Sequence, residues 1–287
     1  MNSKYLDEII HNSNRTANLQ VVFVDIIKYS QRRTLNQIAI IDKFMECIKN
    51  ALTNTSKEYV TFCQANDINF LKDIIFIPTG DGAAIVFPFN GLHDIHLFFA
   101  KNLLELINDT NNYECEKYMQ NKWCNCHNNF AIRVGISEGK GIIYKDINDN
   151  YNVAGNVINM AARVMDFADD NQILFSEEAF KQIIDLDDKP DLIDNFIEFK
   201  NVKIKHGNKI NIYQFIDEDL RYINSKKCEQ LMVDEMMETV MEQFKDANQL
   251  LSTTSENEID KIKVVKMIGK MAEFVKALSV PDSDKLL

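Results

Sequence analysis

Apolar positions recur along the chain with two periods, one of strands and one of helices. Residues 19–29 (LQVVFVDIIKY) are apolar on both alternating faces, the pattern of a strand buried in the middle of a sheet, and a single carboxylate, Asp25, interrupts them. Residues 76–87 (FIPTGDGAAIVF) set two short apolar segments around Gly80-Asp81-Gly82, a hairpin signal that puts a second carboxylate at a turn. Between these stretches Leu35, Ile38, Ile41, Met45, Ile48 and Leu52 repeat at three- and four-residue spacing, which predicts a helix from about Arg32 with one buried face. A second helix is expected over 92–108, carrying Leu92, Ile95, Phe99, Leu103 and Leu106 on one side.

The same alternation continues downstream. Strands are expected over 130–137 and 141–144, joined by a Glu138-Gly139-Lys140 turn. Gly155-Asn156 then opens a helix whose Val157, Met160, Ala161, Val164 and Met165 form the apolar side. A strand over 172–175, a helix over 176–184 with a Ser-x-Glu start, and a closing hairpin of 193–205 with 211–216 around His206-Gly207-Asn208 complete the domain. Before the first strand, Tyr5, Leu6, Ile9 and Ile10 suggest a short peripheral helix within 1–17. Residues 109–129 are polar, rich in Asn and without a period, hence a loop or insertion.

The texture changes near 219. Val233, Met237, Val240, Phe244, Ala247 and Leu251 form one helical stripe, and Ile259, Ile262, Val265, Met271, Val275 and Leu278 form a second, started by a Ser255-x-x-Glu258 capping box. This helical hairpin must cover the domain before it or pair with another chain, and its Met-rich face favours pairing. Three segments result: a peripheral 1–17, a domain over 18–218 and a helical extension over 219–287.

Composition narrows the class. With 287 residues, 46% hydrophobic, the chain suffices for one substantial core plus an appendage. A formal charge of −11 disfavours nucleic acid and anionic membranes as partners, because phosphate polymers need a basic face. No run approaches the roughly 18 apolar residues of a membrane span, the start MNSKYLDEII does not read as a leader, and the six cysteines show no framework spacing. A cytoplasmic setting is expected.

Candidate chemistry begins with the acids. On its own stretch Asp25 is either a strand-end cap for the next helix or a metal ligand. Asp81 breaks the tie, since two carboxylates on neighbouring strand ends make a site for hard divalent cations. Asn159 and Arg163 lie four apart on one helix face and, read alone, are an ordinary solvated pair. Cys124, Cys126 and His127 lack a second pair at zinc-binding spacing and read as loop thiols. Lys200, Lys203, Lys205 and Lys209 make the closing hairpin the most basic part of an acidic chain: either a solvated face or a phosphate contact.

Five blocks taken in order, VVFVDIIKYS, PTGDGAAIVF, IRVGISEGKGIIY, AGNVINMAARV and QILFSEEA, resemble the signature of class III nucleotidyl cyclases. The resemblance spans roughly 18–218. It implies an α+β fold with a ferredoxin-like βαββαβ core, active as a head-to-tail homodimer with sites shared across the interface. It implies two divalent cations, Mg²⁺ or Mn²⁺, on Asp25 and Asp81 with the carbonyl of Ile26 as a backbone ligand. Asn159 and Arg163 match the transition-state Asn and Arg. The triphosphate-contacting Lys falls at Lys205, with Lys203 the alternative.

Three positions depart from the family. Purine cyclases carry Lys or Glu four residues before the second metal Asp, where this chain has Ile77. They carry Asp or Cys four before Asn156, where Asn152 stands. Gly-Phe-Thr after the first block is replaced by Lys28-Tyr29-Ser30. A kept catalytic set with a lost purine reader resembles the bacterial anti-phage pyrimidine cyclases, the Pycsar family. The expected reaction is cyclisation of CTP to cyclic CMP, with UTP to cyclic UMP as the alternative, producing a messenger for a separate effector in antiviral defence. Tyr29, Ile77 and Asn152 are the expected base-pocket residues. A purine cyclase with an altered pocket and a non-catalytic nucleotide-binding domain are the further alternatives.

Overall fold

The computed structural model describes residues 3–11, 15–111, 126–127, 129–185, 190–204, 208–253 and 269. These fall into two compact units, Met1–Cys228 and Glu229–Leu287.

The first unit is built on β1 (Thr16–Ile26), whose central residues are buried on both sides because helices cover both faces of its sheet. α1 (Lys4–His11) precedes it; α2 (Thr34–Glu58) follows, with the short helices α3 (Val60–Ala65) and α4 (Phe70–Asp73). The hairpin of β2 (Ile75–Pro78) and β3 (Gly82–Phe87) leads to α5 (Ile95–Thr110), β4 (Ile132–Lys145) and β5 (Tyr151–Ala154). After α6 (Asn156–Met165) come β6 (Ile173–Ser176), α7 (Glu177–Ile184), β7 (Phe196–Lys203) and β8 (Lys209–Phe215).

The sheet runs β2-β3-β1-β4-β6-β8-β7, with β5 added to β4. Its first four strands with α2 and α5 are the expected ferredoxin-like core, with β1 antiparallel to both β3 and β4. On one face Val22, Val24 and Ile26 of β1 pack with Phe44, Ile48 and Ala51 of α2, Phe99 and Leu103 of α5, and Ile183 of α7. On the other, Leu19 and Val21 pack with Leu6 of α1 and with Val157 and Ala161 of α6. The alternation of β1 thus assigns each residue to one of two separate cores.

β4 is one strand of 14 residues, not two strands and a turn, so Glu138-Gly139-Lys140 lies within it. Gly141, just after that triplet, answers to packing. A Cβ on Gly141 would lie 2.5 Å from Cδ1 of Leu19 and 3.1 Å from Cγ1 of Val157. β1 ends at Ile26, three residues short of the expected limit, because Lys28 takes φ +53° and turns the chain into a 3-10 segment, Tyr29–Gln31.

Two helix starts behave as the sequence suggests: Gly155 precedes α6, and the Ser176 hydroxyl caps α7 by accepting from the Ala179 N–H at 3.3 Å. α1 is tied down rather than loose: the Ser3 hydroxyl donates to Oδ1 of Asp73 at 2.6 Å, and Leu6 is buried. In the second unit α8 (Glu229–Thr253) exposes Met232, Val233, Met236 and Met241. The second C-terminal stripe, Ile259 to Leu278, and its Ser255-x-x-Glu258 start lie outside the described residues. No helix among the described residues is long and apolar enough to cross a membrane.

Candidate active site

The two acids meet at the end of β1. Asp25 pairs with Gly82, and one residue on, the Ile26 N–H donates to the carbonyl of Asp81 at 3.1 Å, fastening the β2–β3 turn to the strand that carries Asp25. The Thr79 N–H closes that turn onto the Gly82 carbonyl at 3.0 Å. Gly82 is required there, since a Cβ would sit 2.3 Å from the Val24 carbonyl oxygen and push the turn off β1. Backbone hydrogen bonding therefore brings Asp25, Ile26 and Asp81 together.

A residue that the sequence reading did not single out completes the cluster. Arg133 stands directly opposite Asp25 in the β1–β4 register. Its Nε and Nη2 donate to the same oxygen, Oδ2 of Asp25, at 3.0 and 2.9 Å. Nη1 donates to the backbone carbonyl of Asp166, 3.3 Å away, and Nη2 lies 3.7 Å from Oδ1 of Asp166, just past the end of α6. Arg133 sits in the IRVGI block, but only strand register reveals what it faces.

Two carboxylates, Asp25 and Asp166, thus meet one guanidinium, with a third, Asp81, beside Asp25. Burial raises the Asp25 carboxyl above the ordinary range; the Arg133 bonds pull it back, and the charges of Asp81 and Asp166 push it up again. The site lacks positive charge. Among the described residues no three His, Cys, Asp or Glu side chains form a metal cage. Two acids and a main-chain carbonyl nevertheless fit Mg²⁺ or Mn²⁺, which take one or two carboxylates and complete their shell with water and substrate phosphates.

The other expected residues lie on several surfaces. Asn159 is exposed and Arg163 half-buried on α6, and neither side chain is hydrogen-bonded to a described residue. Ile77, paired with Ala84, packs half-buried with Phe23 and Ile158 in the core shared with α6. Asn152 pairs with Tyr144, and its side-chain oxygen accepts from the Val153 N–H at 2.7 Å. Tyr29 packs on the opposite face of the sheet, against the α2–α5 core. Lys203 is exposed at the end of β7; Lys205 lies outside the described residues. Cys126 is a free thiol, and Cys124 is outside the described residues.

Comparison with known proteins gives a consistent fold. A family model, the adenylate and guanylate cyclase catalytic domain, matches residues 11–216. An adenylate cyclase from Trypanosoma brucei solved in its monomeric state is 17% identical, with a TM-score of 0.50 over 75% of this chain and 95% of that one. The adenylyl cyclase CyaB from P. aeruginosa is 17% identical, with a TM-score of 0.46 over 73% of this chain and 98% of its own. The guanylate cyclase domain of RhGC from Catenaria anguillulae, in complex with GTP, is 17% identical, with a TM-score of 0.47 over 69% and 96%. No curated protein matches.

Proposed function

The chain belongs to the adenylate and guanylate cyclase catalytic domain family, and we propose that within it the chain is a pyrimidine nucleotide cyclase that converts CTP to 3′,5′-cyclic CMP and pyrophosphate. Cyclases of this class use divalent ions, usually Mg²⁺ or Mn²⁺, and usually act as dimers with shared sites. Asp25, Asp81 and the carbonyl of Ile26 would hold two such ions, which when bound neutralise the triphosphate and acidify the ribose 3′-hydroxyl. The 3′-oxygen attacks the α-phosphorus and pyrophosphate leaves.

The chain's own side chains orient and stabilise. The amide of Asn159 holds the ribose, and the planar donors of Arg163 take the charge that gathers on the α-phosphoryl oxygens. Lys205, or Lys203, contacts the terminal phosphates. In a head-to-tail homodimer one protomer supplies the aspartates and its partner supplies Asn159 and Arg163. The lack of a hydrogen-bond partner for the Asn159 and Arg163 side chains among the described residues supports a role completed by a second chain and a substrate.

One observation carries the pyrimidine assignment: the position that would read a purine edge is Ile77, half-buried among apolar neighbours. A buried ring nitrogen without a partner costs about 1–3 kcal/mol, enough to reverse a preference between bases. The amide nitrogen of Asn152 is left to meet a base, while its oxygen serves Val153. Ile77 narrows the space for the ring. The product would signal to a separate effector, as in antiviral defence. The family's description favours a second reading, a purine cyclase with a rebuilt pocket. Steady-state kinetics with ATP, GTP, CTP and UTP, each with Mn²⁺, test the choice. The highest kcat/KM is expected for CTP; a higher value for UTP would reassign the product to cyclic UMP, and one for ATP or GTP would overturn the pyrimidine reading.

A further inference from the structure

We propose that Arg133 is a positioning residue for Asp25 and a built-in competitor of the divalent cations, so that full ion loading waits for the nucleotide's triphosphate. This rests on the reading of Asp25 and Asp81 as cation ligands. Both Arg133 bonds to Asp25 land on Oδ2, at 3.0 and 2.9 Å, and no described residue bonds to Oδ1. A fork on one oxygen fixes the carboxylate plane and leaves the other oxygen for an ion. The guanidinium cannot easily swing away, because Nη1 is also held by the carbonyl of Asp166 at 3.3 Å. Arg133 has only 28% of its side chain exposed, so water screens its charge incompletely.

The charges set the order of events. Asp25 and Asp166 face the guanidinium, and the charge of Asp81 acts on Asp25 from the turn beside it. A first divalent ion removes the excess of negative charge, and a second meets a site already balanced with a fixed cation at its edge. Only a polyanion restores the deficit. Ions and nucleotide therefore bind with mutual reinforcement, and Arg133 is the residue that enforces it.

Mn²⁺ binding, followed by the paramagnetic resonance signal of free Mn²⁺, tests this without turnover. Wild type, Arg133→Gln, Arg133→Lys and Asp25→Asn are titrated with Mn²⁺ alone and then with a non-cyclisable α,β-methylene CTP. Arg133→Gln is expected to bind Mn²⁺ alone at least ~10-fold more tightly than wild type, because a like charge is gone, and the gap should close to within ~3-fold once the triphosphate is present. Its kcat should nevertheless fall ~10²-fold as the carboxylate loses its orientation. Arg133→Lys keeps the charge without the fork, so it should hold wild-type Mn²⁺ affinity and lose ~10-fold in kcat. Unchanged or weaker Mn²⁺ binding by Arg133→Gln, with Asp25→Asn losing it, overturns the proposal. Wild-type Mn²⁺ binding by Asp25→Asn overturns the underlying metal assignment instead. If Arg133→Gln does not fold, Arg133→Lys decides: wild-type kcat and KM would remove the positioning role.

Discussion

Two polar cross-strand pairs between β1 and β4 have opposite fates. Asp25 faces Arg133 on the α6 side; Gln20 faces Glu138 five residues away, in the core on the α5 side. Asp25 has a forked donor and a 19% exposed side chain. Glu138, 3% exposed, lies 3.6 Å from His93 Nδ1 and 3.9 Å from His96 Nε2, both beyond hydrogen-bonding distance. Its Oε2, both ring nitrogens of His96 and the Gln20 side-chain oxygen lack a hydrogen-bond partner among the described residues. Burial pushes the Glu138 carboxyl up to about 7 and the His96 imidazole down to about 3, so the two do not form an ion pair near neutral pH. What differs is the offset to burial: the Arg133 bonds and charge pull the Asp25 carboxyl back down, whereas nothing opposes the rise at Glu138.

Removing the matched acid should have the largest effect. Asp25→Ala or Asp81→Ala is expected to lower kcat/KM by at least ~10³-fold, since each would take a ligand from ions that compensate most of the transition-state charge. The melting temperature should move only slightly, because neither side chain fills a core. Wild-type turnover in either variant would place the ion elsewhere.

In the proposed homodimer the acid end would be half of a site, completed by Asn159 and Arg163 of the other protomer. Chains bearing Asp81→Ala and Arg163→Ala, each inactive alone, should recover roughly a quarter of wild-type activity on equal mixing, since half the dimers then hold one intact site. No recovery after subunit exchange, verified by native mass spectrometry, would assign both halves to one chain.

The smallest effect is expected at the buried pair, and in stability rather than turnover. The folded-state value of Glu138, about 7, lies above its ordinary 4.5. A raised carboxyl contributes stability in full below the ordinary value and loses it as pH rises through the folded one. Glu138→Gln cannot ionise. Its urea-unfolding stability relative to wild type should therefore grow from about pH 4.5 to pH 7 and level off above, reaching about 3 kcal/mol. His96 works in the opposite direction, with stability present above 6.5 and lost as pH falls towards about 3. That limb is common to both proteins and cancels in the difference. A pH-independent difference would mean that Glu138 is ionised in the fold.

Much of this was legible in the chain. The strand period of β1, the helix period of α2 and the turn at Asp81 each depend on neighbouring residues, and local pattern encodes them. Asp25 was conspicuous because an acid within a wholly apolar strand must have a compensating reason. Glycine was the misleading signal: Glu138-Gly139-Lys140 has the composition of a turn, yet β4 runs straight through it, paired with Gln20, Leu19 and Asn18 of β1. Arg133 and the Glu138–His96 cluster were missed for one reason, that their partners lie 108 and 42 residues away along the chain.

The sequence alone determined the order of the elements, the two acids and their separation into a strand and a turn, since these follow from side-chain alternation and turn chemistry over a few residues. Only the tertiary structure decided what each acid faces. Register sets that: along paired strands each step exchanges the faces of the sheet, so the same two strands place Asp25 beside a guanidinium and leave Glu138 in an apolar core.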